Sequence, residues 1–139
     1  MTSEKQVNVF ALVMAAGSGT RVGSEIPKQY RLIAGESILS RAIKPLLEHP
    51  KISSVTVVIS ELDESLFRQH CGHLKNISFT FGGKDRQESV RLGLDSLSKL
   101  NPEFVLIHDG ARPFLPKTVI DDILFRLETE DCVIPVLRI

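Results

Sequence analysis

Apolar residues run unbroken from Val9 to Ala16 (VFALVMAA) and stop at Gly17, the pattern of a strand buried on both faces of a parallel sheet. Ser54 to Ile59 (SVTVVI) is dense in β-branched residues and predicts a second strand. Ile77 to Phe81 (ISFTF) alternates as a third strand should, and Gly82-Gly83 breaks it. Phe104 to Ile107 (FVLI) predicts a short buried strand stopped by the polar run HDGARP, and Cys132 to Ile139 predicts the start of one more.

The segments between carry helical spacing. Ser37 to Glu48 is one such helix, which Pro45 is expected to kink or shorten. Asp63 is placed to cap a helix whose inner face carries Leu66 and Phe67. Gln87 to Leu100 places Val90, Leu94 and Leu97 on one stripe, with Leu92 beside it. Pro116 to Leu127 predicts a last helix, with Pro116 in its first turn and Val119, Ile120, Ile123, Leu124 and Leu127 facing the core. Strands alternating with helices predict an α/β fold: a Rossmann-like, mostly parallel sheet with right-handed crossovers and helices on both faces. Residues 1–139 read as one domain, without repeat, linker or low-complexity segment.

Composition narrows the function classes. The 42% hydrophobic and 24% charged residues are ordinary for a globular domain. Lys plus Arg equals Asp plus Glu at 17 each and aromatics are only 6%, so neither nucleic acid nor an anionic membrane is an expected partner. An anionic ligand would have to be held by a local site. Cys71 and Cys132 are too few for a disulfide framework and read as idle or buried thiols. The polar start MTSEKQVN lacks an apolar signal core and no apolar run approaches membrane-spanning length, so a cytoplasmic protein is expected.

In parallel sheets of this kind ligands gather at the carboxyl ends of the strands. Three loops that follow predicted strands are rich in chemistry. In the first, AAGSGTRVGSEIPKQY, Gly17 and Gly19 let backbone N–H groups approach phosphate oxygens, and Arg21 and Lys28 add two cations. That set suits a triphosphate whose leaving oxygens gain charge, and it equally describes a glycine turn with two solvated cations. It is neither a P-loop, since Gly-Lys-Ser/Thr is absent, nor a dinucleotide fingerprint, since Val22 stands where a third glycine is needed. In the third loop, Asp109 ends a strand, where a carboxylate can hold Mg²⁺ against phosphate oxygens or simply form a turn. His108 reads as a neutral imidazole packed beside the strand, with a general base as the other reading. The second loop, GGKDRQES, offers the Gly83 backbone, Arg86 and the Ser89 hydroxyl to a base edge. Arg86 has the surface alternative of pairing with Asp85 or Glu88.

AAGSGTRVGSEIPKQY, GGKDRQESVRLGL and VLIHDGARP, in this order, resemble the 2-C-methyl-D-erythritol 4-phosphate cytidylyltransferase family of the non-mevalonate isoprenoid pathway, from about Val9 to Val136. The resemblance implies a nucleotidyltransferase that moves a cytidylyl group from CTP to methylerythritol phosphate with loss of pyrophosphate and uses Mg²⁺. It implies Arg21 and Lys28 as transition-state stabilisers and Ala15, Ala16, Gly17 and Gly19 as the nucleotide cradle. Gly83 and Ser89 are implied cytosine contacts, Asp109 the metal ligand and Gly110 a neighbour of the ribose. Members of the family are longer chains and are expected to be homodimers. This sequence stops near where their second half begins, so a truncated fold that binds CTP without full activity is expected. The alternatives are a transferase for another sugar phosphate and a non-catalytic nucleotide-binding fragment.

Overall fold

The computed structural model describes residues 7–17 and 26–139. Strand β1 (Val9–Ala15) is buried along its whole length, because it lies in the middle of a sheet covered on both faces. After a 3-10 turn at Lys28–Tyr30 the chain forms a small antiparallel hairpin of β2 (Leu32–Ile33) and β3 (Glu36–Ser37). Ala34 and Gly35 close it, both at positive φ (49° and 80°), the backbone that a two-residue hairpin turn requires.

Helix α1 (Ile38–Glu48) follows, its N-terminus capped by the Ser37 hydroxyl, which accepts from the Ser40 N–H at 3.0 Å. Pro45 was expected to kink or shorten this helix. The helix is not shortened: it continues to Glu48, with Ile43 and Leu46 buried on either side of the proline. Next come β4 (Ile52–Ile59) and, after a 3-10 turn at Glu61–Asp63, α2 (Glu64–Cys71). Asp63 occupies the predicted cap position but makes no capping side-chain bond; the Ser60 hydroxyl accepts from Leu62 N–H one turn earlier. Phe67 is buried on the inner face of α2 and Leu66 is half-buried.

The chain continues through β5 (Ile77–Phe81), α3 (Arg86–Leu97), β6 (Phe104–Asp109) and α4 (Lys117–Arg126). Pro116 occupies the N-cap position of α4, without a capping side-chain bond, rather than opening its first turn. Ile120, Leu124 and Leu127 are buried as predicted. The four long strands form one parallel sheet in the order β5-β4-β1-β6.

The pleat of β1 sorts the core into two layers. Val9, Ala11, Val13 and Ala15 face a large cluster with α1, α2 and α4, through Leu39, Ile43, Phe67, Ile120 and Leu124. Phe10, Leu12 and Met14 face the opposite side, covered by α3 through Leu97. The expected α/β sheet with helices on both faces is therefore present.

Three expectations are corrected by the packing. The inward positions of α3 are Ser89, Gly93 and Leu97, and Leu94 is exposed. A Cβ at Gly93 would lie 2.7–2.8 Å from the Leu12 methyls and 2.8 Å from Val58 Cγ2, so the helix crosses the sheet where its backbone can come closest. Strand β6 is half-buried rather than buried, with Ile107 48% exposed, because it is a sheet edge. Cys132 to Ile139 forms no strand. Its β-branched residues favour extension, but strand preference depends on a pairing neighbour, and none pairs with it among the described residues.

Candidate functional site

At the carboxyl ends of the four parallel strands lies an open pocket of about 800 Å³. Each strand feeds it through the loop that follows. The end of β1 supplies Met14, Ala15, Ala16 and Gly17, and the 3-10 turn supplies Lys28, Gln29 and Arg31. Ser60 and Leu62 come from the end of β4, and Gly83 to Arg86 with Ser89 from the β5–α3 connection. Asp109 and Ala111 come from the end of β6.

Eight of the candidate residues thus share one cavity: Ala15, Ala16, Gly17, Lys28, Gly83, Arg86, Ser89 and Asp109. Gly110 sits beneath it, donating its N–H to the Met14 carbonyl at 2.9 Å. Arg21 and Gly19 lie outside the described residues.

The second loop folds onto the first turn of α3. Asp85 accepts from the Glu88 N–H at 2.8 Å and caps the helix, while Glu88 accepts from the Lys84 N–H at 2.8 Å. The Ser89 hydroxyl, 4% exposed, accepts from the Gly83 N–H at 3.0 Å. That bond uses one acceptor site of the hydroxyl and leaves its proton free to donate into the pocket. Gly82 is pinned at the strand end, its N–H donating to the Ile59 carbonyl at 2.8 Å.

Charge distinguishes this cavity from the chain as a whole. Among the described residues, Lys28, Arg31, Lys84 and Arg86 line it against Asp85 and Asp109, in a protein whose formal net charge is zero. Among the described residues none of these four cations is in an ion pair with a carboxylate, Arg86 included, so the surface-pairing alternative for Arg86 is not realised. Unneutralised cations around a concave site create the local positive field that a polyanion needs.

Asp109 does two things at once. Its Oδ1 accepts from the Ala111 N–H at 3.0 Å, which forms the turn, and Arg112 Nε stands 3.7 Å from Oδ2. One carboxylate facing the cavity fits a cation that takes few protein ligands and completes its shell with phosphate oxygens. Among the described residues no cluster of three or more potential ligands exists that would form a self-sufficient metal centre.

His108 points the other way, as alternation along β6 requires, and Nε2 lies 3.0 Å from the Arg112 carbonyl. Burial holds its imidazole below the usual histidine range, so a neutral ring donating to that carbonyl accounts for it. Cys71 is buried, which pushes its thiol up to about 12, and Cys132 is exposed.

The sequence reading missed Gln29, Arg31, Ser60, Leu62 and Lys84. Ser60 and Leu62 follow a strand, so the rule that located the other loops reaches them too. Arg31 and Lys84 carried no local signal beyond their charge. Gln29 was hidden inside the PKQY motif, where nothing local marks the bond its Nε2 donates to the Ala15 carbonyl at 2.9 Å. No helix among the described residues is long and apolar enough to cross a membrane.

Comparison with known proteins bears on the family and on the fold. The family model described as IspD, 2-C-methyl-D-erythritol 4-phosphate cytidylyltransferase, matches residues 9–139. A protein named bifunctional enzyme IspD/IspF from Wolbachia pipientis is 42% identical over 123 residues, covering 86% of this chain and 31% of its own length. The protein of the same name from Paramagnetospirillum magneticum is 41% identical over 128 residues, 92% of this chain and 33% of its own. Among solved structures, 4-diphosphocytidyl-2C-methyl-D-erythritol synthase from Anaerococcus prevotii superposes with a TM-score of 0.71 at 25% identity. It covers 89% of this chain and 52% of that one. The chain spans about a third of the length of these curated relatives and about half of that solved structure.

Proposed function

The chain belongs to the 2-C-methyl-D-erythritol 4-phosphate cytidylyltransferase family, and from that premise we propose that its pocket binds CTP for transfer of the cytidylyl group to methylerythritol phosphate. The observation that carries this reading is the convergence of three loops, far apart in sequence, on one cavity lined by Lys28, Arg31, Lys84 and Arg86.

In the reaction, an oxygen of the substrate phosphate attacks the α-phosphorus of CTP in line. A new P–O bond forms, the bond to the β-phosphate oxygen breaks, and pyrophosphate leaves. Such a transfer needs little covalent help from the protein; orientation and charge stabilisation do the work. The backbone of Ala15, Ala16 and Gly17 cradles phosphate oxygens, and Gly17 has no side chain to obstruct them. Lys28 offsets charge on the phosphates, with Arg21 and Gly19 assigned to the same loop from the sequence. The Gly83 backbone and the Ser89 hydroxyl face the base, and Gly110 supports the ribose side. Asp109 is the residue that would hold Mg²⁺, which supplies Lewis-acid neutralisation of phosphate charge when bound.

Calorimetry with CTP and Mg²⁺ tests the reading. Binding is expected, weakened by Lys28→Ala and by Arg21→Ala, and indifference to both changes would refute it. Competing CTP, UTP, GTP and ATP separates cytidine from other nucleotides, and a purine preference would overturn the choice of CTP.

A second reading, nucleotide binding without turnover, uses the same pocket and differs from the first only in the chemical step. Steady pyrophosphate release from CTP and methylerythritol phosphate by this chain alone would reject it.

A further inference from the structure

We propose that Gln29 is the positioning residue for the Lys28 ammonium, because it ties the turn that carries Lys28 to the end of the strand that forms the phosphate cradle. The proposal rests on the reading of the pocket as a nucleotide site.

The geometry starts from the 3-10 turn, closed by Tyr30 N–H to the Pro27 carbonyl at 2.9 Å and Arg31 N–H to the Lys28 carbonyl at 3.1 Å. Successive side chains in such a turn point about 120° apart. Gln29 and Tyr30 point inward, at 6% and 1% exposure, and Lys28 therefore points out into the cavity. The rotation of the turn about its own axis is set by its two buried side chains.

Their contributions differ in kind. Tyr30 fills space in the core, its ring centroid 5.9 Å from that of His70, and among the described residues its hydroxyl has no hydrogen-bond partner. Its side chain is held by packing. Gln29 makes a directed bond: its Nε2 donates to the Ala15 carbonyl at 2.9 Å, across 14 positions of sequence.

Ala15 ends the central strand, is paired with Ile59 and is followed by the Ala16-Gly17 cradle. It is therefore a fixed point of the site. Through one buried amide, the backbone that faces the phosphates and the turn that presents the cation keep a constant relation. Charge stabilisation depends steeply on such placement, since a cation that wanders gives up interaction with its anion to water. Gln29 itself lines the cavity floor, so the tie lies at the site and not behind a layer of core.

A double-mutant cycle on CTP binding in Mg²⁺ distinguishes positioning from a general packing role. Gln29→Met keeps length and removes the donor. Alone it is expected to weaken CTP binding about 3- to 30-fold. In a Lys28→Ala background the same change is expected to cost less than about twofold, because the cation whose placement it controls is gone. The accompanying drop in melting temperature should be equal in the two backgrounds. Gln29→Asn, polar but one methylene too short to reach Ala15, should show the same dependence on Lys28, and it substitutes should Gln29→Met not fold. Equal fold-losses in both backgrounds, or no loss from Gln29→Met, overturn the proposal while leaving the nucleotide site intact. A native chain that does not bind CTP fails the reading of the pocket itself, and the proposal falls with it.

Discussion

Two glycines at the site separate what the fold needs from what the ligand needs. A Cβ built on Gly110 would lie 2.9 Å from the Met14 carbonyl oxygen, 2.9 Å from Leu39 Cδ1 and 3.2 Å from Ala15 Cβ. None of these can retreat easily. Met14 and Ala15 belong to the central strand, and Leu39 is fully buried. Gly110→Ala must therefore push the loop away, which weakens the bond from its own N–H to Met14. Overpacking of this type costs about 1–3 kcal/mol and a weakened hydrogen bond about 1 kcal/mol. We expect a loss of about 2–3 kcal/mol in urea unfolding with unchanged slope, and a thermal midpoint lower by roughly 6–12 °C. Asp109 moves with the loop, so Mg²⁺-dependent CTP affinity should fall as well.

Gly17 is the opposite case. No described atom lies within 4 Å of a Cβ built there, because it would project into the cavity. Gly17→Ala should leave stability unchanged or raise it by about 0.4–1 kcal/mol, since a less flexible unfolded chain loses less entropy. CTP binding should nevertheless weaken, the methyl occupying space that a phosphate needs. A Gly110→Ala protein within about 0.5 kcal/mol of the native one, or a Gly17→Ala protein that binds CTP normally, would refute the packing argument at that position.

Other expectations concern the scaffold. Gly93→Ala sets a helix-propensity gain of about 1 kcal/mol against overpacking on Leu12 and Val58, so a modestly lower urea midpoint is expected; a clear gain would show that α3 can lift off the sheet without cost. Tyr30→Phe removes a buried hydroxyl that has no partner among the described residues, and stability should hold or rise by about 1 kcal/mol, whereas a fall of that size would reveal a bond to that hydroxyl. Asp121 is held below the usual carboxylate range first by the hydrogen bond from buried His49, at 2.6 Å, and then by Lys117. Glu36 is lowered mainly by Lys44 and Ser40. A depressed carboxylate stabilises the fold above its unfolded value, near about 4, and that contribution disappears as pH falls through the lower folded value. Urea midpoints followed from about pH 5 to pH 3 should therefore fall less steeply for Asp121→Asn and Glu36→Gln than for the native protein, and parallel curves would exclude these pairs as acid-sensitive contacts.

Periodicity located β1, β4, β5 and all four helices, because burial on one or both faces writes itself into consecutive residues. It also placed three chemical loops at strand ends, and parallel topology then required those ends to meet, which is why Ala15, Lys28, Ser89 and Asp109 share a cavity. Other features depend on neighbours that no local pattern encodes. The inward face of α3 runs through Gly93 rather than Leu94, since contact distance to Leu12 outweighs the helix's own hydrophobicity. Strand β6 is half-exposed and Cys132–Ile139 is unpaired among the described residues for the same reason: a strand's composition states its preference for pairing, while the partner comes from elsewhere. Gln29 shows the limit most clearly. Its amide is an ordinary polar group in the chain, and only folding brings the Ala15 carbonyl within 2.9 Å and turns it into a brace for Lys28.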